Sequence, residues 1–549
     1  MGGFLSHLKP ENNLEVLNAS CGPIRGNIYR HGEKIVHGYL GIAYAKPPID
    51  DLRFKKPIME DTWKEPRDCY KCGPSCPQSG DKAAELFPPG YREFDEATCL
   101  NLNVFAPGWK SEEFPNGYPV MVYFHGGGFE LGISSSFDDY SLSGTLPLKE
   151  VIVVTVNYRL GPLGFFTTGD KVSPGNYGLW DMTLSLKWVQ KHIHSFGGNP
   201  NSVTVFGSSA GGMAAGYLAL SPHSNKLFHR YMPMSGAAFC DFACRSKENA
   251  AKVARNFAKR HGYTGEGTVD SKSLLEWFKS QPNTKWFETN KIDREGMSGF
   301  AYFTPVFDGD FFPKPFDQLL KEAPKLDVMV TVNEYEGLGF LLMYPDRKDD
   351  LEIIKSVFGP DVVRNPEEVQ NKIYDFYMKD IDQTDKKAVD LALINFISDS
   401  WFNHPALETV RLSTKAGNNA YLASFDYYNM ESKDPYSSLF PFRAANHNSE
   451  LKYMMGEGMG KFEPIEEEFK VIELMGILVT NFAKYGNPNG VDGPQIWEKY
   501  SLEKPNSYFK IDYPKCEMRD NFQYGRLRIY DEINESGEKY QGILYSKTH

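Results

Sequence analysis

A buried strand that ends in Gly207-Ser208-Ser209-Ala210-Gly211 and passes directly into a helix leaves this chain few folds to choose from. Ser202-Val203-Thr204-Val205-Phe206 alternates like a buried strand. The small-residue run from Gly212 to Leu220 reads as the helix. A turn this sharp has no room for side chains two residues either side of its centre, so glycine stands at both places. The hydroxyl of Ser209 is thereby presented at the head of a helix, where it can attack a carbonyl carbon. The five-residue pattern alone is weak; the strand before it and the helix after it carry the reading.

Upstream, Pro119-Val120-Met121-Val122-Tyr123-Phe124 reads as a second buried strand, and it runs into His125-Gly126-Gly127-Gly128-Phe129. Three consecutive glycines let the backbone fold tightly and aim bare N–H groups into a cavity. With the N–H of the residue after the serine, such donors would bind the negative oxygen of a tetrahedral intermediate. A flexible surface loop is the plainer alternative, and the apolar strand directly before it argues against that.

Further segments fall into an order. Pro47-Pro48 with Leu52-Arg53-Phe54, then Asn157-Tyr158-Arg159-Leu160-Gly161, then Gly175-Asn176-Tyr177-Gly178-Leu179-Trp180-Asp181 precede Trp188-Val189 and Phe196-Gly197-Gly198-Asn199-Pro200. From about residue 14 to about residue 530 the chain resembles the type-B carboxylesterases, the family of cholinesterases, liver-type carboxylesterases and insect esterases. The resemblance implies an α/β-hydrolase fold, with a mostly parallel central sheet flanked by helices and with helical cap insertions.

It also implies a triad in the order serine, acid, histidine. The family's acid precedes a glycine, as Glu336 does in Val332-Asn333-Glu334-Tyr335-Glu336-Gly337; Glu334 lacks that glycine and is second choice. Of the 12 histidines, His447 alone stands in the family's context, His447-Asn448-Ser449-Glu450-Leu451. The oxyanion donors carry over as the N–H groups of Gly127, Gly128 and Ala210. His447 would take the Ser209 proton and Glu336 would orient the imidazole. An acyl-enzyme would form and be hydrolysed. No cofactor and no metal is expected: Cys69, Cys72 and Cys76 are close, but no second ligand pair follows at usable spacing.

Departures from the family narrow the substrate. Ser208 stands where the family usually has glutamate, which removes a negative charge beside the nucleophile. Between Cys76 and Cys99 lie Phe87, Tyr91 and Phe94 but no tryptophan on which a quaternary ammonium would stack. Choline esters are therefore disfavoured, and neutral, hydrophobic carboxylic esters are expected. Phe129, Phe239 and Phe340 are candidate wall residues, with plain core packing an equal reading for each. An acyltransferase using the same acyl-enzyme is the alternative. A non-catalytic adhesion or scaffold protein ranks lower, because no triad residue is lost.

The signatures spread over all 549 residues. They suggest a flexible segment at 1–13 followed by a single domain at 14–549. Strands are expected at 119–124, 151–157, 202–206, 328–332 and 420–426, and helices at Leu184–His194 and Ala250–Arg260. Residues 270–300 and 345–400 read as helical insertions roofing the site. Trp277, Phe278, Trp286 and Phe287 would pack that cap or ordinary core. A net charge of −11 offers no footprint for nucleic acid.

Met1-Gly2-Gly3-Phe4-Leu5-Ser6 fits the N-myristoylation pattern at Gly2, and no secretory signal is visible. One acyl chain would give only weak membrane association. The resemblance pairs Cys76 with Cys99 in a disulfide. Secreted relatives usually carry a second bridge in the region of Arg255–Gln281, which here has no cysteine. A cytoplasmic location, with membrane association through the acyl chain, is the expectation. Secretion, with Asn18 and Asn534 as glycosylation sites, is the alternative.

Overall fold

The computed structural model describes residues 9–13, 15–79, 93–265, 270–282, 301–344, 347, 349–432, 439–457, 462–537 and 543–545. Gly2, Phe87, Tyr91, Trp286 and Phe287 lie outside the described residues.

A 12-stranded sheet runs through the molecule. Its strands in chain order are β1 (Glu11–Asn12), β2 (Asn27–His31), β3 (Lys34–Ala43), β4 (Asn101–Pro107), β5 (Tyr118–Phe124), β6 (Ile152–Val156), β7 (Gly198–Ser208), β8 (Arg230–Met234), β9 (Asp327–Asn333), β10 (Ala420–Phe425), β11 (Tyr508–Ile511) and β12 (Glu517–Arg519). In space they follow the order β1-β2-β3-β4-β6-β5-β7-β8-β9-β10-β11-β12. The five strands expected from the sequence are all present, within a few residues of their expected ends.

The expectation of a mostly parallel sheet is corrected. Six neighbouring pairs are parallel, from β6 through β11. Five are antiparallel, four at the N-terminal flank and one at the far edge. The sheet is mixed. The flank differs because β2 and β3 are joined by a two-residue turn with Gly32 at φ 63°, and a tight hairpin forces antiparallel pairing. The helical crossovers that make parallel neighbours begin only after β5.

Alternate residues of β5 enter opposite layers. Val120, Val122 and Phe124 pack into one buried cluster, and Met121 and Tyr123 into the other. Both faces of the central strands are therefore covered, which is why β5, β6 and β10 are buried along their whole length. Helix α1 (Tyr177–His192) begins earlier than the expected Leu184, because Asn176 takes a left-handed turn (φ 60°) directly before it. Helix Lys247–Arg260 contains the expected Ala250–Arg260. Helix α2 (Ala210–Leu220) is buried end to end. Its small residues permit that close approach: a Cβ on Gly212 would lie 2.6 Å from the Gly236 carbonyl oxygen.

Of the expected cap, Ser271–Ser280 is helical, and Phe278 is buried against Phe54, Phe166 and Phe257. Trp277 packs edge-on to Phe278 and Tyr263. The 345–400 insertion forms the helices Leu351–Lys355, Pro366–Met378 and α3 (Lys386–Ser398). The chain then continues through a π-helical turn, Asp399–Asn403, into α4 (His404–Lys415). Pro405 explains that turn. It offers no N–H to the carbonyl one turn back and its ring crowds it, and widening the helix relieves the clash.

Cys76 and Cys99 form a disulfide with Cα atoms 4.8 Å apart across a separation of 23 residues. A loop of that size contributes about 3 kcal/mol. Cys240 and Cys244 are buried and take no part in a disulfide. No helix among the described residues is long and apolar enough to cross a membrane.

One buried ion pair ties the chain after β6 to α1. Arg159 meets Asp181 through Nε and Nη2 at 2.8 and 2.7 Å, and the Arg159 N–H also donates to Asp181 at 3.0 Å. Neither side chain is more than 1% exposed. Asp181→Asn would leave the guanidinium charge without its counter-ion in a dry site. It should lower stability by about 3–5 kcal/mol in denaturant unfolding followed by tryptophan fluorescence. A loss under about 1 kcal/mol would show that the pair is not what secures α1.

Candidate active site

The carboxyl ends of β5, β7 and β9 and the loop after β10 converge at one place, where open α/β sheets expose their strand ends. Ser209 follows β7 and takes φ 58°, ψ −127°, a conformation side chains rarely adopt. It is held there from both sides. Its N–H donates to the Met234 carbonyl at 2.8 Å, and its own carbonyl accepts from Met213 at 3.0 Å. The flanking glycines are sterically required. A Cβ on Gly207 or Gly211 would come within 2.5 or 2.0 Å of the Phe124 carbonyl oxygen.

The glycine loop after β5 runs against this turn. A Cβ on Gly126 would lie 2.9 Å from the Ser209 Cβ. Gly127 has φ 106°, and a Cβ there would strike the Leu131 carbonyl at 2.2 Å. The Gly127 carbonyl is consumed by the turn, accepting from Leu131 at 2.9 Å. Among the described residues, no protein acceptor takes the N–H groups of Gly127, Gly128 or Ala210. Ala210 opens α2, so its N–H has no carbonyl one turn back. His125 stacks on Tyr158 with ring centres 4.3 Å apart. Burial pushes its imidazole down to about 4, so it stands as a neutral buttress to the loop.

Glu336 and His447 are brought together. His447 Nδ1 lies 2.6 Å from Glu336 Oε2, and the Glu336 side chain has no solvent exposure. Glu336 Oε1 accepts from the Asn333 N–H at 2.7 Å. Glu334 faces Asp426, Lys510 and Asp512 instead; burial first, then Asp426, push its carboxyl up to about 7. The loops bearing acid and histidine are joined through backbone: the Tyr335 N–H donates to the Ala445 carbonyl at 3.0 Å, and Tyr335 bridges to Asn446.

A second buried carboxyl sits behind the pair. Glu450 accepts from Asn333 Nδ2 at 2.6 Å and from the Ser235 hydroxyl at 3.3 Å. Asn333 Nδ2 also lies 2.9 Å from Ser235 Oγ and 3.3 Å from Glu336 Oε1. Burial, and then the nearby Glu336, push the Glu450 carboxyl up to about 7.

Of the three candidate wall residues, Phe340 reaches this place, with its ring centre 4.8 Å from that of His447. Phe129 packs on Phe165 and Phe239 on Phe316 and Tyr545. Phe402, also 4.8 Å from His447, was not anticipated. Its placement follows from the π-helical turn, and Pro405 was the readable sign. Asn333 and Ser235 were also missed, because their roles arise from the alignment of β8 beside β9. Elsewhere, His404, Glu408 and Asp531 bring ligand-type atoms within 4.8 Å of one another. Arg411 already bonds both carboxylates there, at 3.0 and 2.8 Å.

A model of the carboxylesterase family matches residues 13–530. Esterase cest-33 of Caenorhabditis elegans is 52% identical over 554 residues, covering 100% of this chain and 99% of that protein. Liver carboxylesterase 1 of Oryctolagus cuniculus is 32% identical over 494 residues, covering 85% of this chain and 84% of that protein. Cholinesterase of Mus musculus is 30% identical over 562 residues, covering 96% and 90%. With nearly its whole length matched, the chain belongs to the carboxylesterase family.

Proposed function

We propose that the chain hydrolyses neutral, hydrophobic carboxylic esters through a Ser209–His447–Glu336 triad. The observation that carries this reading is the 2.6 Å contact between His447 and a fully buried Glu336, on a loop adjoining the Ser209 turn. A serine hydroxyl is a poor nucleophile unless a base is adjacent. His447 takes the Ser209 proton as the hydroxyl adds to the ester carbonyl, and Glu336 holds the imidazole in one orientation and stabilises its cation. The N–H groups of Gly127, Gly128 and Ala210 receive the oxyanion. His447 then passes its proton to the leaving alcohol, and water releases the acid from Ser209 by the same steps.

Preference for neutral esters rests on what surrounds the histidine. Phe340 and Phe402 flank it, and the residue beside the nucleophile is the uncharged Ser208. Glu336 and Glu450 are both buried, which leaves them poorly placed to attract a cationic substrate from solvent.

The test compares butyrylcholine with its neutral isostere 3,3-dimethylbutyl butyrate. Both should be hydrolysed, with less than about a tenfold kcat/KM advantage for the cation, equivalent to about 1.4 kcal/mol. Ser209→Ala should lower kcat on either by about 10⁴–10⁶. A larger advantage for the cation would overturn the substrate class, and an active alanine variant would overturn the nucleophile.

Glu450 supplies a pH test. Its folded-state carboxyl titrates at about 7, above the ordinary glutamate value. Between about pH 4.5 and 7 the folded chain therefore holds a proton that the unfolded chain has released, so its stabilising contribution falls as pH rises. Glu450→Gln keeps a neutral side chain throughout. Its thermal midpoint relative to wild type should be higher at pH 8 than at pH 5. An equal difference at the two pH values would show that Glu450 does not titrate in that window.

A further inference from the structure

Ser208 ends β7 and is buried, 1% exposed, directly before the proposed nucleophile. Its hydroxyl donates to Asn448 Oδ1, and Asn448 directly follows His447. A single side-chain hydrogen bond thus joins the neighbours of the two residues that must exchange a proton. Asn448 takes φ 71°, the left-handed region, where asparagine is tolerated better than most side chains. Glycine would fit that backbone more easily but has no amide to offer Ser208.

The rest of the loop is fixed from other directions. Ser449 Oγ accepts from the Asn446 N–H at 2.9 Å, and the Asn448 carbonyl accepts from Leu451 at 3.2 Å. The Tyr335 contacts secure the loop to the acid, and Glu450 secures it to Ser235 and Asn333. These bonds hold His447 to Glu336. The Ser208–Asn448 bond faces the nucleophile.

The geometry points to Ser208 and Asn448 as a pair of positioning residues: their hydrogen bond latches the histidine loop to the nucleophile turn and sets the imidazole at attacking distance from Ser209. Neither touches the reacting atoms in this role. A displacement of the base by about 1 Å is enough to cost a factor of about 10² in rate, so one directional bond between adjacent loops has a measurable kinetic effect. The inference rests on the reading of Ser209 and His447 as nucleophile and base.

The test is a double-mutant cycle on a soluble neutral ester. Ser208→Ala removes the donor. Asn448→Gly removes the acceptor while suiting the left-handed backbone. Each should lower kcat about tenfold or more, with KM within about twofold, because the loss falls on alignment rather than on substrate binding. The double variant should be no slower than the worse single one, since one bond can be lost only once. Ser208→Thr, which keeps a hydroxyl, should recover most of the rate. Thermal midpoints of all four separate misfolding from misalignment.

Independent, multiplying losses would overturn the latch. So would either single variant at wild-type kcat, or a threonine variant as slow as the alanine one in a chain that is equally folded. The outcomes stay distinct from failure of the triad. If Ser209→Ala is inactive while Ser208→Ala and Asn448→Gly are normal, only the latch is wrong. If Ser209→Ala is active, the underlying reading is wrong.

Discussion

A carboxylate without access to water must find its hydrogen bonds within the protein, and the arrangement of this site follows from how Glu336 does so. One oxygen meets His447 and the other meets Asn333. Asn333 is the last residue of β9, so this carboxylate is held by the sheet itself. The Asn333 side chain in turn reaches Glu450, with Ser235 beside it. Burial first, and then the charge of the neighbouring Glu336, push the Glu450 carboxyl up. Removing one donor from this group would leave a buried acceptor unpaired, which is why its members are expected to act together.

The sheet brings this cluster to the same edge as Ser209. β5, β7 and β9 run in parallel register, so their carboxyl ends lie at one edge, and the glycine loop, Ser209 and the acid loop all leave from it. The antiparallel strands lie at the flanks and contribute none of these residues. A mixed sheet therefore serves the same geometry, because only its central parallel strands present their ends to the site.

What was legible in the sequence was local. Gly207 and Gly211 frame Ser209 because the turn admits no Cβ, and that rule leaves a mark in five residues. Gly337 separates Glu336 from Glu334 in the same way: a Cβ there would press to 2.4 Å on the Ile394 carbonyl, so the carboxylate that meets His447 has a glycine written beside it. Asn333 and Ser235 carry no such mark. They meet because β8 and β9 are aligned across the sheet, and strand alignment cannot be read from one strand alone. The hairpin flank was missed because its turn signal, Gly32, is short and its strands mix polar with apolar positions. Phe402 was hidden for another reason. Ordinary helical periodicity cannot place a residue beyond a π-helical turn, although Pro405 marks where periodicity fails.

The most direct test of the central claim follows the covalent step. A fluorophosphonate is added to the intact chain and the rate of adduct formation is measured, with the modified residue located by peptide mass spectrometry. The account predicts one adduct, on Ser209, and slowing of its formation by about 10³ or more in Glu336→Gln, where a neutral amide replaces the partner of His447. An adduct on another residue, or unchanged labelling of Ser209 in that variant, would show that the buried pair does not activate this serine.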